Sequence, residues 1–435
     1  MTLSVESARE SVRSLQQSES YRGLVTICGG GNGAHVAAGF LASKGIRVNV
    51  LTRQPERWND TIEVITKGSS WEYKGTISGK LHLVSKSAKY VIPDADLIIL
   101  AAPANAHPDI LREISEYIKD GAVLGALFAQ GGFDWAVKKI LDSKMRQLDM
   151  IIGLQNIPWI CKTQKYGHTA RIIGPKKKLF VASFPAEKKI EASRLLESLF
   201  DIPCDHVSNF LTLTLTPSNQ IIHPARYYAI FKDWDGMKTY TRAELENRSG
   251  MTLYADFDEY SAEQLAMLDN ELQQIKLAIL RKFPALDLSD VLPIGERVIK
   301  HYGVDVTDKS SLQKIFATNL GYAGCATPLV EVTQDRFIPA VHSRLFWEDI
   351  PFGLCILKCI AELSGNFPTP RLDFMIRWHQ QYMKVEFLNA DGQLNAQEMW
   401  RTGTPYKYGI HDLHDLVATS LPQEMREYRH PRSRI

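Results

Sequence analysis

The chain has 435 residues, about three usual domain lengths, so two domains are expected and a single small binding module is excluded. Its 45% hydrophobic and 23% charged residues give an ordinary globular composition in which disorder cannot dominate. With 51 Lys and Arg against 49 Asp and Glu, the net charge of +2 is too small for a phosphate-neutralising surface, which argues against nucleic acid as a partner.

Residues 1–20 are polar and Ser-rich, with Glu6, Glu10 and Glu19 mixed among Arg9 and Arg13, and read as a flexible leader, not a signal or transit peptide. The longest apolar run, Leu97 to Ala104, is far short of the roughly 20 residues that cross a bilayer, so no membrane partner is expected. The six cysteines lack paired spacing; they predict reduced thiols in a cytoplasmic protein, with no metal site.

From residue 21 short apolar runs alternate with helical patterns, the rhythm of a parallel sheet flanked by helices. Strands are expected near Leu24–Cys28, Val48–Leu51, Leu97–Ala101, Ala122–Leu127 and Met150–Leu154. Helices are expected over Ala34–Ser43, closed by Gly45, and Asp109–Ile118, ending near Gly121. Thr169–Ile173 and Leu179–Ser183, joined through Gly174-Pro175 and three lysines, suggest a terminal hairpin, with Lys176 to Lys178 as solvated turn charges. Beyond about residue 215 long helical windows take over, such as Ser261–Lys282 and Leu354–Leu363, and Pro217 suits a domain entry. The fold class is therefore α/β: a Rossmann-type dinucleotide-binding domain over 21–215, a mostly α-helical catalytic and substrate domain over 216–425, and a basic tail over 426–435.

The first strand runs into Gly29-Gly-Gly-Asn-Gly-Ala-His35 and then a helix, the GxGxxA form of the dinucleotide fingerprint. Gly29 serves the tight turn, Gly31 the approach to a pyrophosphate and Ala34 close helix packing, and Asn32 and Gly33 complete the loop. The helix start supplies free amides for that pyrophosphate. At the end of the second strand Thr52-Arg53 stands where an acid would bind the ribose of NAD, which favours NADP(H) slightly over NAD(H). Pro103 and Ala104, in the loop after Leu97–Ala101, are further cofactor-side candidates. In the second half Asn219 and His223 share a helix face, and Arg344 to Asp349 set a cation and two carboxylates before an apolar helix.

Together these segments resemble the octopine/nopaline (opine) dehydrogenase family. The resemblance is carried by Gly29–His35, Pro103–His107, Gln130-Gly-Gly-Phe133, Ile157-Pro-Trp159, Asn219–Pro224, Trp234-Asp-Gly236 and Arg344–Asp349, in family order from about residue 22 to 420. It implies an NAD(P)H-dependent enzyme that condenses an amino acid with an α-keto acid such as pyruvate and reduces the imine to a secondary-amine dicarboxylate. By matching motif, His223 would be the acid/base, Asp349 its carboxylate partner, Arg344 a ligand of a carboxylate or of the pyrophosphate, and Gln130 a substrate ligand, with Asn219 beside them. An imidazole, with an ordinary pKa near ~6.5, suits both the proton loss and the proton gain of imine formation.

Two departures bear on the substrate. Octopine-type members carry a glutamate where Gln155 stands, and an aromatic residue in the stretch of Arg297; both changes make a cationic amino acid a poorer fit. A 2-hydroxyacid-type dehydrogenase and a non-catalytic dinucleotide sensor are the competing expectations, with a monomer or weak homodimer as the assembly.

Overall fold

The computed structural model describes residues 21–66 and 73–421; the leader over 1–20 and the tail over 426–435 lie outside the described residues. The N-terminal half is built on an eight-stranded sheet. Its strands are β1 (Leu24–Cys28), β2 (Arg47–Leu51), β5 (Leu83–Ser85), β6 (Leu97–Leu100), β7 (Val123–Ala126), β8 (Met150–Leu154), β11 (Leu179–Phe184) and β12 (Cys204–His206). The order is β12-β11-β8-β7-β6-β1-β2-β5, and every pairing is parallel except that of β11 with β8.

Side chains along a strand alternate between faces, and the core divides accordingly. Val25, Ile27, Leu97, Ile99 and Ile152 pack with the Asn32–Ser43 and Lys189–Phe200 helices. Cys28, Ile98, Leu100, Leu124 and Ile151 face the other way, toward the His107–Ile114 and Phe133–Leu141 helices. That second cluster continues without a break into the helical half through Ile221, Leu265 and Ile360, so the two halves share one core.

Lying on the first face is a sheet that periodicity did not reveal: β4 (Thr76–Lys80), β3 (Thr61–Ile65), β10 (Thr169–Pro175) and β9 (Trp159–Lys165), in that order. It corrects the expected hairpin. β10 pairs with β9 and β3, whereas β11 pairs with β8 and β12 in the main sheet, so residues 176–178 cross between sheets. The burial patterns give the reason: β10 alternates, as a strand with one solvated face does, while β11 is buried nearly throughout.

The helical half starts at Phe210–Thr214 and comprises principally Asn219–Phe231, Glu259–Lys282, Ile294–Tyr302, Cys355–Leu363 and Pro370–Met383, with the hairpin β13 (Leu329–Thr333) and β14 (Arg336–Pro339) on its surface. Asn219–Phe231 packs centrally against Glu259–Lys282. No helix among the described residues is long and apolar enough to cross a membrane.

Candidate active site

β1 lies between β2 and β6, where the chain reverses its direction of travel across the sheet, the place where open α/β sheets bind ligands. There the backbone turns at Gly29 with φ +150°, and a Cβ at that residue would sit 2.4 Å from the Ala101 carbonyl oxygen. Only glycine permits this packing of the loop on the end of β6. A Cβ on Gly31, by contrast, would project into open space, in a cleft that Gly31, Asn32 and Gly33 line at the start of the Asn32–Ser43 helix. This open cradle of amides fits a dinucleotide pyrophosphate. Ala34 is fully buried beneath it, and the Asn32 side-chain oxygen accepts from the Thr163 amide at 2.9 Å, tying the loop to β9. Thr52 is buried at the end of β2, Arg53 is exposed, and Pro103 lines the cleft while Ala104 is buried behind it.

The cleft, about 510 Å³, runs from this loop to a wall of the helical half that includes Asn219, Tyr254, Arg297, Tyr302 and Tyr322. Three residues expected to hold substrate instead converge on the linker between the halves. The Gln130 side-chain amide donates to the Thr216 carbonyl at 2.9 Å, Gln155 donates to the Thr216 hydroxyl at 2.5 Å, and Arg297 donates to the Thr216 carbonyl at 2.7 Å and the Pro217 carbonyl at 2.5 Å. Gln130 also accepts from Gln220 at 2.7 Å. Gln130 and Gln155, expected as substrate ligands, are buried and are not among the residues that line the cleft; their side-chain amides donate to the linker, while the Gln155 side-chain oxygen is left without a partner. Arg297 does form part of the wall, and is buried, not exposed.

On the central helix of this half, His223 is nearly buried. Its Nδ1 lies 2.8 Å from the Asp349 carboxylate and its Nε2 lies 2.9 Å from the Tyr254 hydroxyl. A carboxylate accepts only, so Nδ1 carries hydrogen and Nε2 of the neutral ring accepts from Tyr254. Asp349 makes no side-chain cap to the turn that follows it; the histidine is its partner. His223 therefore faces the cleft through Tyr254, a residue for which the sequence held no signal. Burial raises the Tyr254 pKa well above the ordinary phenol value, so its hydroxyl keeps its proton. Arg344 is exposed at the cleft rim, 3.0 Å from Glu348, whose own carboxyl pKa is raised by burial and which accepts from the Ala104 amide across the two halves.

Lys176 is a further correction. Unlike its exposed neighbours Lys177 and Lys178, it turns into the cleft, lies over the Tyr302 ring at 4.7 Å and donates to the Tyr302 hydroxyl at 2.6 Å. The backbone sets this direction, since the Lys176 amide donates to the Pro158 carbonyl where the chain passes between sheets. Burial pushes its ammonium pKa down to about 8.

A glycine turn at the switch point of a parallel sheet, facing a carboxylate-held histidine across a cleft, defines a dinucleotide-dependent dehydrogenase. Residues 206–383 match the family profile described as NAD/NADP octopine/nopaline dehydrogenase, alpha-helical domain. The opine dehydrogenase of Haliotis discus hannai is 30% identical over 413 residues, covering 90% of this chain and 98% of that protein. A solved structure of octopine dehydrogenase with NADH and L-arginine superposes with a TM-score of 0.80 at 27% identity, covering 94% of this chain and 99% of the other. A second, with NADH and pyruvate, gives 0.79 at 26% with the same coverage. The chain belongs to the opine dehydrogenase family of NAD(P)-dependent oxidoreductases.

Proposed function

We propose that this chain joins the amino group of an amine substrate to the carbonyl of an α-keto acid such as pyruvate and reduces the resulting imine with a nicotinamide dinucleotide. The observation that carries this reading is the chain of hydrogen bonds from Asp349 through His223 to the Tyr254 hydroxyl at the cleft. An octopine dehydrogenase of the same fold has been solved with NADH and pyruvate, which supports this reading.

When bound on Gly29, Gly31, Gly33 and the amides that begin the Asn32–Ser43 helix, the dinucleotide supplies the hydride. The protein supplies position and proton management. As the incoming ammonium loses its proton, the Tyr254 hydroxyl accepts it while passing its own to His223 Nε2. Being strongly disfavoured as a phenolate, Tyr254 exchanges one proton for another and never ionises. Asp349 then faces an imidazolium, which it stabilises, and fixes the ring tautomer before and after. Addition of the amine to the keto carbon gives a carbinolamine. Return of the proton along the same path lets hydroxide leave as water, and the imine that remains is reduced at carbon. Asn219 and Arg344, on the cleft wall and rim, are the side chains placed to meet a carboxylate of the bound intermediate. Gln130, Gln155 and Arg297 hold the linker that carries this wall.

For the cofactor, the Thr52-Arg53 end of β2 and its lack of an acid favour NADPH slightly, with NADH close behind. The ratio of kcat/KM for the two dinucleotides measures this preference directly.

His223→Asn is expected to lower kcat by roughly 10²- to 10⁴-fold while dinucleotide binding, followed by fluorescence titration, stays within twofold. Full turnover in that variant would end the proposed mechanism. Oxidation of the reduced cofactor by pyruvate at the same rate with and without amines would instead favour a hydroxyacid dehydrogenase.

A further inference from the structure

We propose that Lys176 selects the amine substrate, and that the amine it selects carries a carboxylate or sulfonate at the end remote from its amino nitrogen. The inference rests on the reductive condensation described above and names the class of one of its two substrates.

The wall between His223 and Lys176 is a run of aromatic rings. Tyr254 stacks on Tyr322 at 4.2 Å between centroids, and Tyr322 meets Tyr302 at 4.9 Å. Beyond Tyr302 stands the Lys176 ammonium. A substrate whose nitrogen meets Tyr254 therefore runs along ring edges and hydroxyls that carry no charge, and its far end reaches an ammonium.

That ammonium has no acid to neutralise it. Of its three N–H donors the Tyr302 hydroxyl takes one, and no carboxylate among the described residues lies within ion-pair distance. The neighbouring charges are of the same sign. Arg297 gives its hydrogen bonds to neutral oxygens and has Asp269 as its acidic neighbour, which also accepts from the Ile294 amide. Lys300 pairs outward with Asp290. His301, on the same wall, stays neutral under the combined pressure of burial and these cations. Among the described residues the one acid that lines the cleft, Glu348, lies beside Asp349 and Arg344. A guanidinium or ammonium at the Lys176 end would meet a cation with no acid beside it, whereas an oxyanion would complete the hydrogen bonds of that ammonium and neutralise it. Lys176 comes from the nucleotide-binding half and Tyr302 from the helical half, so an anion held there also bridges the two.

The experiment is a panel of amines against the cofactor-loaded enzyme, read both by calorimetric binding and by turnover with pyruvate, for the wild type and for Lys176→Met and Lys176→Arg. Glutamate, aspartate, taurine and β-alanine carry the remote oxyanion; glutamine, norvaline and arginine do not. Glutamate is expected to bind roughly 10- to 100-fold more tightly than glutamine, the range of one charge-assisted hydrogen bond. Lys176→Met should remove most of that difference and Lys176→Arg retain it, with the KM for pyruvate and the dinucleotide affinity within twofold throughout. Comparison of aspartate and glutamate with taurine separates carboxylate from sulfonate. Tighter binding of arginine than of glutamate by the wild type overturns the inference, as does a Lys176→Met variant that weakens every amine equally or weakens the dinucleotide instead. Anion-selective binding without turnover would leave Lys176 its role and remove the reaction.

Discussion

At the scale of single residues, the Tyr254 hydroxyl decides whether the histidine communicates with the cleft. Tyr254→Phe removes the hydroxyl bonded to His223 Nε2 while keeping the ring stack, so kcat should fall roughly 10- to 100-fold with little change in the KM for pyruvate. Steady-state rates check this, and an unchanged kcat would show that substrate meets the imidazole directly. Lys176 makes a pH prediction. Its ammonium, pushed down to about 8 by burial, is charged below that pH and neutral above it. The groups facing it are Tyr302, Tyr322, Cys325, His301 and Arg297; His301 is already neutral, the two phenols and the Cys325 thiol have pKa values raised by burial, and Arg297 titrates higher, at about 10, so above neutral pH Lys176 is the first of them to change charge. The ratio of kcat/KM for glutamate over glutamine should therefore decline as pH rises through about 8 and stay flat in Lys176→Met. Little of this could be read in the chain. His223 and Asp349 stood in motifs, whereas Tyr254 and Lys176 lie in irregular segments and acquire meaning only from what the fold places opposite them.

At the scale of elements, legibility followed burial. Strands buried on both faces, such as Leu24–Cys28 and Met150–Leu154, are continuous apolar runs and fall where the sequence puts them. The four-stranded second sheet has polar and exposed positions on every strand, so β3, β4 and β9 were missed, and β10, though expected as a strand, was paired with the wrong neighbour. The glycine turn is an element in which sequence and geometry agree. Gly29→Ala would force a side chain onto a left-handed backbone and against the Ala101 carbonyl. Displacing the loop from β6 should weaken dinucleotide binding at least tenfold and lower stability by about 1–3 kcal/mol, as titration and urea unfolding will show. The same packing argument applies away from the site at Gly79, where a Cβ would lie 2.2 Å from the Gly39 carbonyl oxygen. Gly79→Ala should lower stability by a similar amount while the dinucleotide affinity of the folded fraction is unchanged.

At the scale of the whole molecule, the two halves are joined by a continuous apolar core and by the polar node at Thr216. The change of texture near residue 215 was visible in the sequence, as strand alternation gave way to helical windows; the node was not, because its donors come from three distant segments. Arg297→Met would leave the Thr216 and Pro217 carbonyls short of donors in a buried position. The expected loss is about 2–4 kcal/mol, read by urea unfolding, with faster proteolysis near residues 214–219 than in the wild type.

The node also constrains how the enzyme can open. With one peptide group clasped from both sides, any relative rotation of the halves would have to turn about Thr216, and the Asn219–Phe231 helix begins just after that point. Both sides of the cleft wall thus hang from one clasp: His223 sits within the helix that follows the linker, and Tyr302, the partner of Lys176, ends the helix whose Arg297 holds the node.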